Sequence, residues 1–342
     1  MSDVTGQGVE GARPGREAMT GASTNGAGGG NRRGRAGRGE QSMVPNAEFT
    51  SYYGLPIVNA PVWHSPDIPG YLFLGGLAGA SSVLAAGAQF TGRRDLAVRS
   101  KAVAAGAITL SAAALVHDLG RPSRFYNMLR VLKPSSPMSV GSWLLAAYGP
   151  AAGVAGTTAV LGRFRRVGVG ATAAAAVLGP AVATYTAALL CDTAVPAWHE
   201  GYREMPFLFA GSSAAAAGGV GLITAPFEQS GPARRLAVVG AVLETVAAQR
   251  MEQRLGVVGE PYRQGLAGRY LKAGRALTAT GLIVALAGKR SRAARMVAGT
   301  ALAAGSAFTR FGIFEAGKQS AADPKYTVEP QRQRISNRAG AS

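Results

Sequence analysis

Cysteine, histidine and acidic residues are all scarce in this chain. A lone cysteine, Cys191, excludes an internal disulfide and a cysteine-ligated iron–sulfur cluster. The three histidines, His64, His117 and His199, fall at or beyond the ends of apolar runs. A membrane haem needs two axial ligands facing each other inside a bundle, so the chain is read as haem-free and without a metal site. Any electrons passing through it would need metal centres on another subunit. Asp and Glu total 18 against 36 Lys and Arg, for a net charge of +18. In a soluble chain that excess would point to nucleic acid. Here the basic residues stand in the tails and connectors, where they anchor helix ends at anionic lipid surfaces, and no nucleic-acid partner is expected.

What the chain has in quantity is long apolar sequence. A hydrocarbon core of about 30 Å takes about 20 apolar helical residues. Eight runs of that kind can be counted, at about 69–91, 101–117, 139–162, 168–191, 205–226, 233–250, 270–288 and 294–313. The expected fold class is all-α, a polytopic membrane protein with eight transmembrane helices. Small residues crowd the runs, as in Gly75 to Ala80, Ala171 to Ala176 and Ala214 to Gly219. Such faces let helices approach closely, which predicts a tight bundle without a wide pore. Around the membrane domain, 69–316, residues 1–48 read as a disordered Gly/Arg-rich tail rather than a cleavable signal, 49–68 as an interfacial lead-in, and 317–342 as a polar basic tail.

If connectors alternate sides, one side receives four short basic ones: Arg93/Arg94/Arg99/Lys101, Arg163/Arg165/Arg166, Arg234/Arg235 and Lys289/Arg290/Arg292/Arg295. The positive-inside rule places that side in the cytoplasm, and both tails with the longer connectors outside.

Three places carry chemistry. Asp118 stands where the second run ends, with Arg121 three residues on in Asp118-Leu119-Gly120-Arg121-Pro122. An acid there is costly unless paired, so an ion pair that ends the helix and a proton-handling role are both open. Tyr185 and Asp192 are seven residues apart on one helical face. A phenol in an apolar wall with a carboxylate at its mouth suits a quinone; equally, the tyrosine can bond a neighbouring helix and the aspartate cap an end. Glu244 lies at depth among Val242, Leu243, Val246 and Ala247. It is either a functional acid or an interhelical bond to a Ser, Thr or Tyr.

Three stretches resemble the NrfD/PsrC family, the membrane subunits of polysulfide-, nitrite- and formate-type respiratory oxidoreductases. They are Ile68-Pro69-Gly70-Tyr71-Leu72-Phe73-Leu74-Gly75-Gly76-Leu77-Ala78-Gly79; Asp118-Leu119-Gly120-Arg121-Pro122 with Ser136-Pro137-Met138-Ser139-Val140-Gly141-Ser142-Trp143; and Tyr185-Thr186 with Pro196-Ala197-Trp198. The resemblance covers about residues 50–315. It implies two four-helix units without haem, docking to a four-cluster iron–sulfur subunit that pairs with a molybdopterin catalytic subunit, and exchange with menaquinone or another quinone near the docked face. It places Tyr185 on the quinone side and Asp118 and Arg121 in the loop motif, and it brings in Asn59 and His64 ahead of the first helix as quinone-side residues.

Three functions follow as expectations. The chain is a quinone-reactive membrane anchor in the plasma membrane, non-catalytic alone, with Tyr185, His64, Asn59 and Asp118 at the quinone and Asp118, Arg121, Asp192 and Glu244 as proton relay or structural ion pairs. Or it is a purely structural anchor. Or it is a proton-conducting or transport bundle, against which stands the lack of an inverted repeat with broken helices.

Overall fold

The computed structural model describes residues 56–120, 124–288 and 291–339, all helix and connector. Arg121, the tail 1–48 and the pair Lys289/Arg290 lie outside the described residues. Eight helices of 20 residues or more follow one another: α1 Asp67–Phe90, α2 Arg94–Asp118, α4 Pro137–Leu161, α5 Arg165–Cys191, α7 Met205–Thr224, α8 Gly231–Arg254, α9 Gly265–Ala287 and α10 Arg292–Ala322. Short helices α3 Arg124–Met128 and α6 Pro196–Glu200 sit in connectors, and α11 Lys325–Ala339 follows α10.

Six of the eight, all but α8 and α9, are long and apolar enough to cross a membrane. α8 and α9 have the length but carry more charge, with Arg234, Arg235, Glu244, Arg250, Glu252 and Arg254 on one and Arg269, Lys272 and Arg275 on the other. The chain is an all-α multi-pass membrane protein.

α1, α2, α4 and α5 pack as one unit and α7, α8, α9 and α10 as another. The seam between them is α1 and α5 against α7, with α1 also reaching α10. α1 is therefore the axis of the molecule, 78% buried over its most apolar stretch, whereas α4 is 22% buried and faces outward. Small residues set these distances. A β-carbon on Gly79 of α1 would stand 2.3 Å from the carbonyl oxygen of Gly179 in α5. Without a hydrophobic drive between helices in lipid, backbone contact of this kind supplies the dispersion that holds them.

The ends of the bundle differ. The four short links, α1–α2, α4–α5, α7–α8 and α9–α10, fall at one end, turning at positive-φ Gly92 and Gly162 in the first two. The opposite end carries the lead-in before α1, α3, α6, the 3-10 turn Gly256–Tyr262 and α11. It is heavily tied. Trp198 of α6 is fully buried, donates its indole N–H to the Ile313 carbonyl at 2.8 Å, and stacks on Trp63 of the lead-in with 5.6 Å between ring centres. Tyr262 donates to the Ala197 carbonyl at 2.9 Å, and the Ala197 N–H donates to Ser320 at 3.2 Å. A bidentate fork from Arg254 to Glu204, at 2.8 and 2.6 Å, joins α8 to the start of α7 and holds the Glu204 carboxyl below the usual carboxylate range.

Gly317 of α10 gives this assembly its room, since a β-carbon there would lie 1.9 Å from the Trp198 ring. Gly317→Ala is expected to lower stability on the order of 1–3 kcal/mol, as overpacking does in a dense core. The loss should appear as a lower unfolding midpoint in detergent and a red shift of tryptophan emission as Trp63 and Trp198 part. An unchanged midpoint and spectrum would mean the indole is not held where it stands.

Candidate functional site at the lead-in end

The sequence between α2 and α4 builds one wall of the candidate site. Gly120 leaves α2 at φ +69°, a region that L side chains avoid, and its N–H closes on the His117 carbonyl at 3.0 Å. Ser136 is the N-cap of α4, accepting from the Ser139 N–H at 3.5 Å, and Pro137 occupies the first helical position, where no N–H is needed. Ser139 ties the loop back, donating to the Val131 carbonyl at 2.8 Å and accepting from the Lys133 N–H at 3.0 Å. Gly141 then lies flat against Tyr185 of α5; a β-carbon would sit 2.4 Å from the ring. The run Ser136 to Gly141 thus has a physical reading: cap, start, tie-back, and a gap that admits a phenol.

Tyr185 stands where two apolar clusters meet, one centred on α1, α5, α6 and α10 and the other on α1, α2, α4 and α5. Its hydroxyl oxygen is buried and has no hydrogen-bond partner. This separates it from the structural alternative, in which the phenol bonds a neighbouring helix. An unpaired buried hydroxyl costs on the order of 1–3 kcal/mol, so this one is a candidate for an acceptor that the chain itself does not supply.

Asp118 and His64 meet although they are 54 residues apart. Both the His64 backbone N–H and its ring Nδ1 approach Asp118 Oδ1, at 3.1 and 3.2 Å. A second crossing pair lies beside it, His117 Nδ1 to Asp67 Oδ2 at 2.8 Å. In both pairs the aspartate is mostly buried and the histidine mostly exposed, 11% against 74% and 22% against 80%. Two imidazoles are therefore exposed, while Asp118 ties the lead-in to α2 and Asp67 ties the start of α1 to it. The partner expected for Asp118 from spacing, Arg121, is outside the described residues, and His64 fills that place.

The remaining candidates do not join this group. Asn59 is exposed. Asp192 caps α5 and is exposed, its N–H bonded to Ala188. Glu244 belongs to the other unit. There it is 5% exposed and accepts from Thr309 of α10 at 2.8 Å, an interhelical bond of the kind the sequence allowed. Its second carboxylate oxygen has no partner. It lines a cavity of about 30 Å³ with Thr278, Thr309, Tyr262, Glu252 and Arg275, space for about one water.

The sequence reading missed Arg310. This residue is 1% exposed, donates to the Phe209 carbonyl at 2.9 Å and to Ser213 at 3.0 Å, and lies 3.7 Å from the centre of the Phe209 ring. Gly76 of α1 leaves space for it, so the guanidinium sits at the junction of α1, α7 and α10. The signal was available: one cation inside the apolar run that ends near Phe311, where an ionisable side chain is a functional or structural centre by default.

The fold is a multi-pass helical bundle with an unpaired buried phenol near one end. Residues 56–239 match the family model described as polysulphide reductase, NrfD, and the chain belongs to that family. No curated protein matches it. The matched span takes in Tyr185, His64, Asp118 and the Ser136–Trp143 run and stops short of Glu244 and Arg310.

Proposed function

We propose that this chain is the quinone-reactive membrane subunit of a respiratory oxidoreductase in the plasma membrane, exchanging electrons between an iron–sulfur partner and the quinone pool. The observation that carries the reading is the buried Tyr185 hydroxyl without a partner, held in place by Gly141. A quinone takes up two electrons and two protons on reduction to quinol, one proton on each of its two carbonyl oxygens. Tyr185 offers the O–H that such a carbonyl oxygen needs. Asp118 and His64 form an acid–base pair at the same end of the bundle, suited to pass protons between that pocket and solvent. Their imidazole is exposed, so protons need no path through the membrane to reach it.

The outward face of α4 supports entry from the lipid. Met138 and Trp143 are 50% and 42% exposed beside the capped turn, as an apolar carrier leaving the bilayer would require. The lead-in end, with its fixed aromatic stack, is the surface for a cluster-bearing subunit that in turn carries a molybdopterin enzyme. Four short connectors at the other end hold Arg and Lys with little acid, which supports a cytoplasmic position for that end and an outside position for the docking face.

The test is the complex purified with and without this chain. Reduction or oxidation of a water-soluble menaquinone analogue should require the chain, while turnover with an artificial dye should not. Full quinone-linked turnover in its absence would leave only the structural-anchor reading.

A further inference from the structure

The end of the bundle opposite Tyr185 holds a second cavity that the quinone reading does not use. It has a volume of about 440 Å³ and lies among the C-terminal ends of α1 and α4 and the N-terminal ends of α2 and α5. Its charged lining is Arg94, Lys101, Arg163 and Arg165, with no carboxylate. Among the described residues, Arg94, Arg163 and Arg165 form no ion pair. The nearest acid in sequence, Asp95, is already engaged, accepting from the Gln229 amide at 2.7 Å.

The floor of the cavity is built, not incidental. Lys101 is 8% exposed, and its ammonium donates to the Gln89 side-chain oxygen. The Gln89 amide nitrogen, which faces no acceptor, is buried and unpartnered. A buried cation with only a neutral partner calls for an anion, and a buried amide N–H with none calls for an acceptor, which the same anion can supply. Phe164 sits between Arg163 and Arg165 with φ +56°, a left-handed conformation that a bulky side chain rarely adopts. Both flanking arginines line the cavity, and Phe164 is left 74% exposed.

We propose that this cavity binds the phosphodiester headgroup of an anionic membrane phospholipid. A phosphate oxyanion satisfies Lys101 and the Gln89 amide, and the lining arginines offer the planar forks that match phosphate. Free inorganic phosphate shares this chemistry, and the surroundings favour the lipid. Phe90 and Phe164, which adjoin the lining residues Gln89, Arg163 and Arg165 in sequence, are 67% and 74% exposed, and Val160 and Leu161 are 66% and 70% exposed on the last turn of α4. Apolar side chains placed there lie along acyl chains, not beside a solvated ion. Basic pockets between transmembrane helices on the cytoplasmic side are used in this way.

The test is native mass spectrometry of the delipidated full chain in neutral detergent, offered phosphatidylglycerol and phosphatidylcholine in equal amounts, with and without millimolar inorganic phosphate. The wild type should retain phosphatidylglycerol over phosphatidylcholine by about five-fold or more, the effect of roughly one surface cation at a lipid headgroup. Arg163→Gln with Arg165→Gln, at exposed positions where folding is not at stake, should bring the ratio close to one, as should Lys101→Met. The charge-matched pair Arg235→Gln with Arg292→Gln, at the same end but outside the cavity, should keep the preference. Phosphatidylglycerol retained equally by wild type and the Arg163/Arg165 variant would overturn the proposal. So would its displacement by inorganic phosphate, which would assign the cavity to the free ion.

Discussion

Tyr185→Phe is expected to cut quinone-linked turnover by on the order of ten- to a hundred-fold while leaving the chain at least as stable as before. The two halves of this expectation come from one atom. The hydroxyl is buried and unpaired in the protein alone, so removing it relieves a desolvation cost of about 1–3 kcal/mol instead of breaking a bond. In turnover the same hydroxyl is asked to donate to a carbonyl oxygen that gains negative charge, and a hydrogen bond to a charged group contributes about 1.5–3 kcal/mol. A structural tyrosine would behave in the opposite way, with stability falling and turnover following it. Unfolding in detergent and turnover with a menaquinone analogue, measured on the same preparations, separate the two. Gly141→Ala should reproduce the turnover loss from the other side of the contact, because its methyl group would occupy space 2.4 Å from the Tyr185 ring. Turnover unchanged in both variants would remove Tyr185 from the site.

What could be read from the sequence divides by range. Helix lengths follow from apolar runs and their breaks, which are local: Gly92 and Gly162 turn the chain at positive φ, and Ser136-Pro137 starts α4 with a cap and a first-turn proline. The runs alone could not tell α8 and α9 from the other six, since both have full length and carry Arg250, Lys272 and Arg275 on exposed positions, where charge interrupts no packing. The extent of α10 was likewise underestimated. It continues past the apolar run to Ala322, because Gly317 and Ser320 are needed under Trp198 and beside α6.

The site shows the same division. Tyr185 was legible because a phenol in an apolar wall is unusual in itself. Its lack of a partner was not, since that depends on everything that could have reached it. Asp118 was legible as an acid at a helix end that needed a counter-charge. Local spacing offered Arg121, but the chain of the lead-in returns to the end of α2, and that return brings His64 from 54 residues away. No periodicity encodes such a closure.

The second large effect is expected at Arg310. Its guanidinium is fully enclosed, with Nη2 bonded across to α7 while Nε and Nη1 find no partner. The nearby acid is Glu244, which accepts from Thr309, the residue before Arg310, with no direct ion pair between the two among the described residues. Truncating the guanidinium leaves the Phe209 carbonyl and the Ser213 hydroxyl without their buried donor, at a cost on the order of 1–3 kcal/mol for each group. Arg310→Met should therefore lower the unfolding midpoint sharply, by more than any substitution at the exposed arginines. Glu244→Gln alone keeps the shape and the Thr309 hydroxyl contact and should cost less. In the double variant the charge left behind by Arg310→Met is gone, so the combined loss should be smaller than the sum, with a coupling on the order of 1–3 kcal/mol in a double-mutant cycle. Strict additivity would mean the two charges do not sense each other, and Glu244 would then need another explanation for its burial. The same Glu244→Gln chain answers a functional question. If Glu244 with its one-water cavity only supports the fold, quinone-linked proton uptake per electron stays as in the wild type once stability is matched; a lower proton yield at unchanged electron flow would make it part of a proton path through the second unit.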